Sequence, residues 1–458
     1  MVEYKNEKDD VQYNEELLYE LLKEENIQLF REHFLALHPY DQAQFYEKVG
    51  PDIRETMYHF LSPQELAVIF RELELEDDEY QDFLKEMDTS YGAAMLSEMY
   101  TDDAVDVLNE LDNKERESYL EMMDSETAEE INELLAYAEY TAGAIMTTEY
   151  VSILESSTVR SAMTVMRKEA PTAETIYYIF VVNDEHQLTG VLSLRDLIIA
   201  DEDTLIKEIM SDRVVFVGLK DDQEEVAQIM KDYNFLALPV VNENRELQGI
   251  ITVDDIIDVI EEEASDDYSK LAGISDVEDI DDSPFESAKN RLPWLIILLF
   301  LGMLTANLMS RFEETLDQVA LLALFIPLIS GTSGNSGTQA LAVAVRGIAT
   351  GEVSEKSKMK LLMRELLTGL IMGIVCALIV VGIIYFWKHS LVMGLLVGGA
   401  ISCSILVATL AGSFIPLLIH KMGIDPAVAS GPFITTLNDV TSLMIYLGLA
   451  TMFLSQIM

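Results

Sequence analysis

Asp439 is a lone carboxylate in an otherwise apolar C-terminal run, Pro426-Ala-Val-Ala-Ser-Gly-Pro-Phe-Ile-Thr-Thr-Leu-Asn-Asp439, which continues to Phe453. At the helical rise of ~1.5 Å it lies roughly 20 Å from Pro426, near the middle of a bilayer if the run spans one. An ionisable group there costs several kcal/mol unless it faces protein or a wet pathway, so the chemistry it suggests is contact with a cation or proton. Two further acidic sets recur at helical spacing. Asp102, Asp106 and Glu110 fall at i, i+4 and i+8, and Asp255, Asp258, Glu262 and Asp266 share a second face beside Glu263 and Asp267. Such stripes are commonly solvated faces. Their like charges repel, however, and would meet another acidic surface only with cations between them. Hard carboxylate oxygens of this kind suit Mg²⁺ or Ca²⁺, not Zn²⁺ or copper.

The 458 residues are 50% hydrophobic yet carry a formal charge of −50. Residues 284–458 hold 10 basic and 9 acidic side chains, leaving 20 and 71 for residues 1–283. A very acidic part is therefore joined to a nearly neutral, apolar one. The acidity repels phosphates and excludes nucleic acid as a partner. No apolar leader follows Met1, so no cleaved signal is expected. Cys376 and Cys403 both sit in apolar stretches, against a disulfide framework or thiolate metal cluster. With no phosphate-binding glycine loop and no Ser/His/Asp arrangement, nothing points to an enzyme.

Residues 1–140 read as an acidic, all-α domain of helical hairpins, turning near Ser62, Ser90, Thr101 and Ser125. Ser62, Thr101 and Ser125 are the expected N-caps. Residues 141–258 contain an internal repeat. Ile145-Met-Thr-Thr-Glu, Tyr178-Ile-Phe-Val-Val-Asn-Asp and Leu188-Thr-Gly-Val-Leu-Ser-Leu-Arg-Asp196 correspond to Ile209-Met-Ser-Asp-Arg, Leu238-Pro-Val-Val-Asn-Glu and Leu247-Gln-Gly-Ile-Ile-Thr-Val-Asp-Asp255. The offset is 64 residues at the start and 59 at the end. Each copy reads helix, strand, turn, strand, helix. The pattern resembles a tandem cystathionine-β-synthase-type (CBS) pair, an α/β module that often binds adenine nucleotides such as ATP. The resemblance implies ribose contacts from Ser193 with Asp196 and from Thr252 with Asp255, with Tyr178 and Arg195 available to a base or phosphate. The bland alternative is that Ser193 and Thr252 merely cap the helices that follow.

Residues 259–286 continue the second copy into an acidic connecting helix, and residues 287–458 carry five candidate membrane spans, at about 292–310, 319–348, 362–387, 391–419 and 427–456. The second is expected to be broken by Pro327, Gly331, Gly334 and Gly337. Lys289, Arg291, Arg346, Lys356, Lys358, Lys360, Arg364 and Lys421 crowd the loops on one side, while Glu313, Glu314 and Asp317 occupy the other, where Arg311 borders the first loop and Lys388 sits in the second. The positive side being cytosolic, the acidic domains are inside and the C-terminus outside.

This order of domains resembles the MgtE family of magnesium channels, over essentially the whole chain. Two membrane motifs carry the likeness. One is Pro327-Leu-Ile-Ser-Gly-Thr-Ser-Gly-Asn335-Ser-Gly-Thr-Gln339 followed by Arg346-Gly-Ile-Ala-Thr-Gly, and the other is Ala429-Ser-Gly-Pro-Phe-Ile-Thr435-Thr-Leu-Asn438-Asp439. Thr338 departs from the family pattern, which has Asn there. The resemblance implies a multi-pass homodimer in the plasma membrane with a pore on the twofold axis. Asp439 would be its ion-binding carboxylate, with Asn335, Thr435 and Asn438 along the pathway. It also implies a Mg²⁺-selective uptake channel closed when cytosolic Mg²⁺ bridges Asp102, Asp106, Asp255, Asp258, Glu263, Asp266 and Asp267. Two other readings are a coupled divalent-cation exporter using Asp439, and a nucleotide-sensing regulator merely anchored by its spans.

Overall fold

The computed structural model describes residues 15–73, 77–278, 283–353 and 357–457. Residues 15–259 form one unit and residues 260–457 a second. Residues 1–14 and Lys356, which entered the reading of the N-terminus and the loop charges, lie outside the described residues.

The first unit opens with ten short helices from Glu15–Lys23 to Ser125–Leu134. Their apolar faces bury a continuous core that includes Phe30, Phe34, Tyr46, Met57, Phe70 and Met95. Ser62 caps its helix as expected and closes a capping box with Glu65. At the other two positions the cap lies one residue earlier. Asp124 caps the helix that begins at Ser125, accepting from the Glu126 and Thr127 amides. Tyr100 is the N-cap residue of α1 (Thr101–Asn109), whose Thr101 is its first helical residue. Thr101 is instead occupied outside the helix, its hydroxyl donating to Glu149 at 3.0 Å.

The repeat folds into two three-stranded sheets. In the first, β1 (Ser152–Leu154) runs parallel to β2 (Tyr178–Val182), which pairs antiparallel with β3 (Leu188–Ser193). In the second, β4 (Val217–Gly218), β5 (Ala237–Val241) and β6 (Leu247–Thr252) repeat that order. The copies complete each other. Thr147, in the leading segment of the first copy, bridges Ile250 on β6, and Ser211, in that of the second, bridges Val191 on β3. Those pairs preserve the offsets seen in the sequence. The last strand leads into α2 (Val253–Ala272), one continuous helix of 20 residues.

In the second unit, α3 (Pro284–Ser310), α5 (Lys358–Lys388), α6 (Leu391–Lys421) and α7 (Gly431–Met452) are long and apolar enough to cross a membrane. The second expected span, 319–348, differs. A 3₁₀ turn over Ala320–Phe325 precedes α4 (Ile326–Ala349), which is helical straight through Gly331, Gly334 and Gly337. The break thus comes before Pro327, which sits in the first turn of α4 where its missing amide proton costs nothing. Tyr446 donates its buried hydroxyl to the Leu322 carbonyl in the 3₁₀ turn, at 2.9 Å. The glycines serve packing instead of a break. A Cβ at Gly334 would stand 2.9 Å from Thr435 Cγ2, and one at Gly337 only 1.9 Å from Asn438 Nδ2. Polar small residues keep α4 from being apolar, because its neighbours are α6 and α7.

At Gly412 on α6 a Cβ would lie 2.2 Å from the Gly337 carbonyl oxygen, a backbone atom that yields only if the helices part. Alanine would gain about 1 kcal/mol of helix propensity, while overpacking costs about 1–3 kcal/mol. Gly412→Ala is therefore expected to lower the thermal midpoint of the purified protein in detergent. A midpoint that stayed level or rose would place the helices further apart than described.

Candidate functional site

Three short sequences converge on one buried point in the first unit. The first turn of α1 brings Asp102, the first turn of α2 brings Asp255, and the segment leading to β2 brings Glu174. One carboxylate oxygen from each lies within 4.8 Å of the others. Asp102 is only 7% exposed. No lysine or arginine pairs with any of the three among the described residues, and Glu174 Oε2 is buried without a hydrogen-bond partner. Burial raises the Asp102 carboxyl well above its usual range, with the Asp255 charge adding to it. Glu174 is pushed up to about 8, again by burial and then by Asp255. Beside them Asp103 is raised to about 7 by burial, against the pull of Arg71, which lies 3.2 Å away.

A divalent cation fits this donor set. Hard oxygens converge and the orphaned Glu174 oxygen wants a partner. The negative charge has no internal counterion. Glu149 nearby shows the contrast, because Thr101 and Thr147 hydroxyls already donate to it at 3.0 and 2.6 Å. Glu174 was missed in the sequence because it lies between elements, at no periodic spacing from another acid. Asp106 is exposed on α1 and Asp258 exposed on α2, and neither joins the cluster.

The nucleotide candidates divide. Strand register sets Tyr178 opposite Ser193. Ser193 caps the following helix and donates to Asp196 at 2.5 Å, while Arg195 and Asp196 remain exposed. Tyr178, Arg213 and Pro239 are among the residues lining a cavity of about 70 Å³. The second ribose pair is a correction. Thr252 is 3% exposed and donates to Asp255 at 2.6 Å, and the Asp255 carboxylate faces the acidic cluster, so neither is open to a sugar.

In the second unit the end of α2 is latched. Lys270 pairs with Asp266 and donates to Asp425 Oδ2 at 2.7 Å. Asp266 is thus neutralised by an ammonium group, and an ion could use it only by displacing Lys270. Asp267 is raised to about 6 by burial, then by the charges of Asp425 and Glu263. Gly273 ends the helix at φ +80°, and a Cβ there would lie 3.2 Å from the Pro432 ring.

Asp439 accepts a short hydrogen bond from Ser330 on α4. The antiparallel contact continues through Gly334 with Thr435, and Gly337 meets Ile434 and the Asn438 side chain. Asn335 is exposed on α4. Asn438 is not: it is 0% exposed, packed on Gly337, with neither amide atom hydrogen-bonded. The structure makes it a helix-packing residue, not part of a wet pathway.

A family profile described as the MgtE divalent cation transporter matches residues 326–449, and the MgtE intracellular N domain matches residues 37–140. CBS domain profiles match residues 142–203 and 206–262. The chain is 52% identical over 449 residues to the magnesium transporter MgtE of Enterococcus faecalis, spanning 98% of this chain and 99% of that one. The chain belongs to the MgtE family. It is also 37% identical to the Thermus thermophilus magnesium transporter MgtE, over 96% of this chain and 98% of that protein. Among solved structures, the soluble part of a magnesium transporter aligns at 54% identity and a TM-score of 0.54, covering 55% of this chain and 98% of that one. The cytosolic domain of the Mg²⁺ channel MgtE in complex with ATP aligns at 38% identity and 0.51, covering 54% and 100%. This MgtE-family chain is accordingly a multi-pass membrane protein that transports Mg²⁺. Transport by the family sets aside the anchored regulator.

A cation must displace the protons held by the raised carboxyls. Below their ordinary range the carboxyls are protonated in folded and unfolded chains alike. As pH rises towards about 8 the metal-free folded state is increasingly penalised, and cation binding removes the penalty. Calorimetric titration of the full chain with Mg²⁺ at pH 7, in buffers of different ionisation enthalpy, should reveal net proton release. Glu174→Gln should reduce that release, and equal release in the variant would exclude Glu174 from the site.

Proposed function

We propose that the chain forms a homodimeric, Mg²⁺-selective uptake channel that closes when cytosolic Mg²⁺ fills its acidic sites. The observation that carries this reading is the buried Asp102–Glu174–Asp255 cluster, a cation-seeking site on a chain that transports the cation it suits. Low Mg²⁺ leaves the cluster without a counterion, its raised carboxyls holding protons or repelling one another where ionised, which favours separation of α1 from α2. High Mg²⁺ bridges them. Because Asp255 belongs to the same helix as Lys270, loading of the cluster biases the position of that helix and, through it, the pore. Asp258, Glu263 and Asp267 on the same helix would serve further ions, as would Asp106 on α1. Several weak sites acting together give a steep response, since each shifts the equilibrium by its difference in affinity between states.

In the pore, paired Asp439 carboxylates from two subunits would supply the charge and Asn335 would face the ion's water shell. Mg²⁺ dehydrates reluctantly, so an outer-shell grip suits it better than a cage of direct ligands. Ser330 holds Asp439 in place. The acidic domains lie in the cytosol and the C-terminus outside, as the loop charges require. The relative solved with ATP supports nucleotide binding at the CBS pair, where Tyr178, Ser193, Arg195 and Asp196 are the remaining candidates.

Planar-bilayer recording of the purified protein tests both halves. Inward Mg²⁺ current should fall as internal Mg²⁺ rises, without any pH gradient. Asp439→Asn should abolish the current or its selectivity. Asp102→Asn with Glu174→Gln should raise the closing Mg²⁺ concentration by about fivefold or more, the lower end of a site-to-site coupling. Current indifferent to internal Mg²⁺ in the unmodified protein would end the gating reading, and flux that needs a proton or sodium gradient would favour the coupled exporter.

A further inference from the structure

Apart from the acidic cluster and the ion pathway, the second unit holds a cavity of about 580 Å³ between the C-terminal end of α4 and the N-terminal end of α5. Among the described residues its charged lining is Arg346, Lys360 and Arg364 against one acid, Glu352, and its apolar wall includes Val343 and Leu361. That volume is of the size that holds a small ligand, ~300–1,000 Å³. Three features make it an anion site. Lys360 has no carboxylate within ion-pair reach among the described residues. Arg346 meets Glu352 only at 4.0 Å, with its side chain 76% exposed. Arg364 is aimed by the buried carboxylate of Glu365, which accepts from Arg364 Nε at 3.2 Å and leaves most of the guanidinium open.

The apolar surroundings say what kind of anion. Val343 is exposed beside the basic groups, and from the mouth of the cavity α5 presents Leu367, Leu370, Ile371 and Ile374, all exposed and all on a helix of membrane-spanning length. A soluble phosphate would use the charges and leave this strip idle. We propose that the cavity binds the phosphate headgroup of an anionic phospholipid, with its acyl chains along the exposed face of α5. Basic pockets between spanning helices at a membrane surface are suited to that task. The site lies on α4, the helix that also carries Ser330, so lipid bound there braces the same helix that holds Asp439.

The test uses the full-length protein in nanodiscs of phosphatidylcholine, with or without a minority of phosphatidylglycerol. Native mass spectrometry after gentle extraction should find phosphatidylglycerol retained in preference to phosphatidylcholine. The Arg346→Gln, Lys360→Gln double variant should lose that preference by about fivefold for each charge removed. Independently of any variant, phosphatidylglycerol should protect Lys360 from acetylation in the unmodified protein and leave Lys388, at the opposite end of α5, reactive. Equal retention by both proteins would overturn the proposal. Equal protection by soluble glycerophosphate would make it a free-phosphate site, and protection in pure phosphatidylcholine would mean that a second copy of the chain covers the cavity. Either result also refutes the lipid assignment.

Discussion

Like charges out of water cannot stay charged without a counterion, and the first unit is organised around that constraint. At an effective dielectric of about 20, two ionised carboxylates 4.8 Å apart repel by about 3–4 kcal/mol. Asp102, Glu174 and Asp255 form three such pairs with no basic partner. The helical domain and the CBS pair can share this contact only with protons or a dication in it. Asp103 shows the other solution, an Arg71 placed alongside. Where the fold needs a permanent junction it supplies an arginine or a set of threonine hydroxyls. At Asp102, Glu174 and Asp255 it supplies no basic side chain among the described residues, and Thr252 donates to Asp255 at 2.6 Å.

The membrane half solves the opposite problem. Lipid offers no reason for two apolar helices to prefer each other, so association rests on close contact and polar groups. The α4, α6 and α7 helices approach until Gly337 and Gly412 leave no room for a methyl group. That closeness is what lets a serine on α4 reach a carboxylate on α7. The price is borne by Asn438, sealed in the same contact with both amide atoms unpaired.

Much of this was legible in the residues. The repeat, its strands and helices, the junctions of the helical hairpins and the lone Asp439 all follow from local pattern, because strand alternation and apolar runs are written in neighbouring residues. Asp102 and Asp255 were also found, as members of acidic stripes. What periodicity could not do was select them from their stripes. Asp106 and Asp258 have the same spacing and stay exposed, since the selection depends on which turn of each helix meets the other. Glu174 carries no pattern at all. The second span misled for a different reason. Glycine and proline read as breakers in isolation, but here the proline starts a helix and the glycines admit its neighbours.

The two CBS copies trade their leading segments, Thr147 closing the edge of β6 and Ser211 the edge of β3. Neither sheet is finished by its own sequence. A single copy expressed alone would present an unpaired strand edge, the kind of surface that recruits another chain. The duplication is therefore mutual dependence instead of redundancy. An insertion that lengthened one leader would disturb the sheet of the other copy.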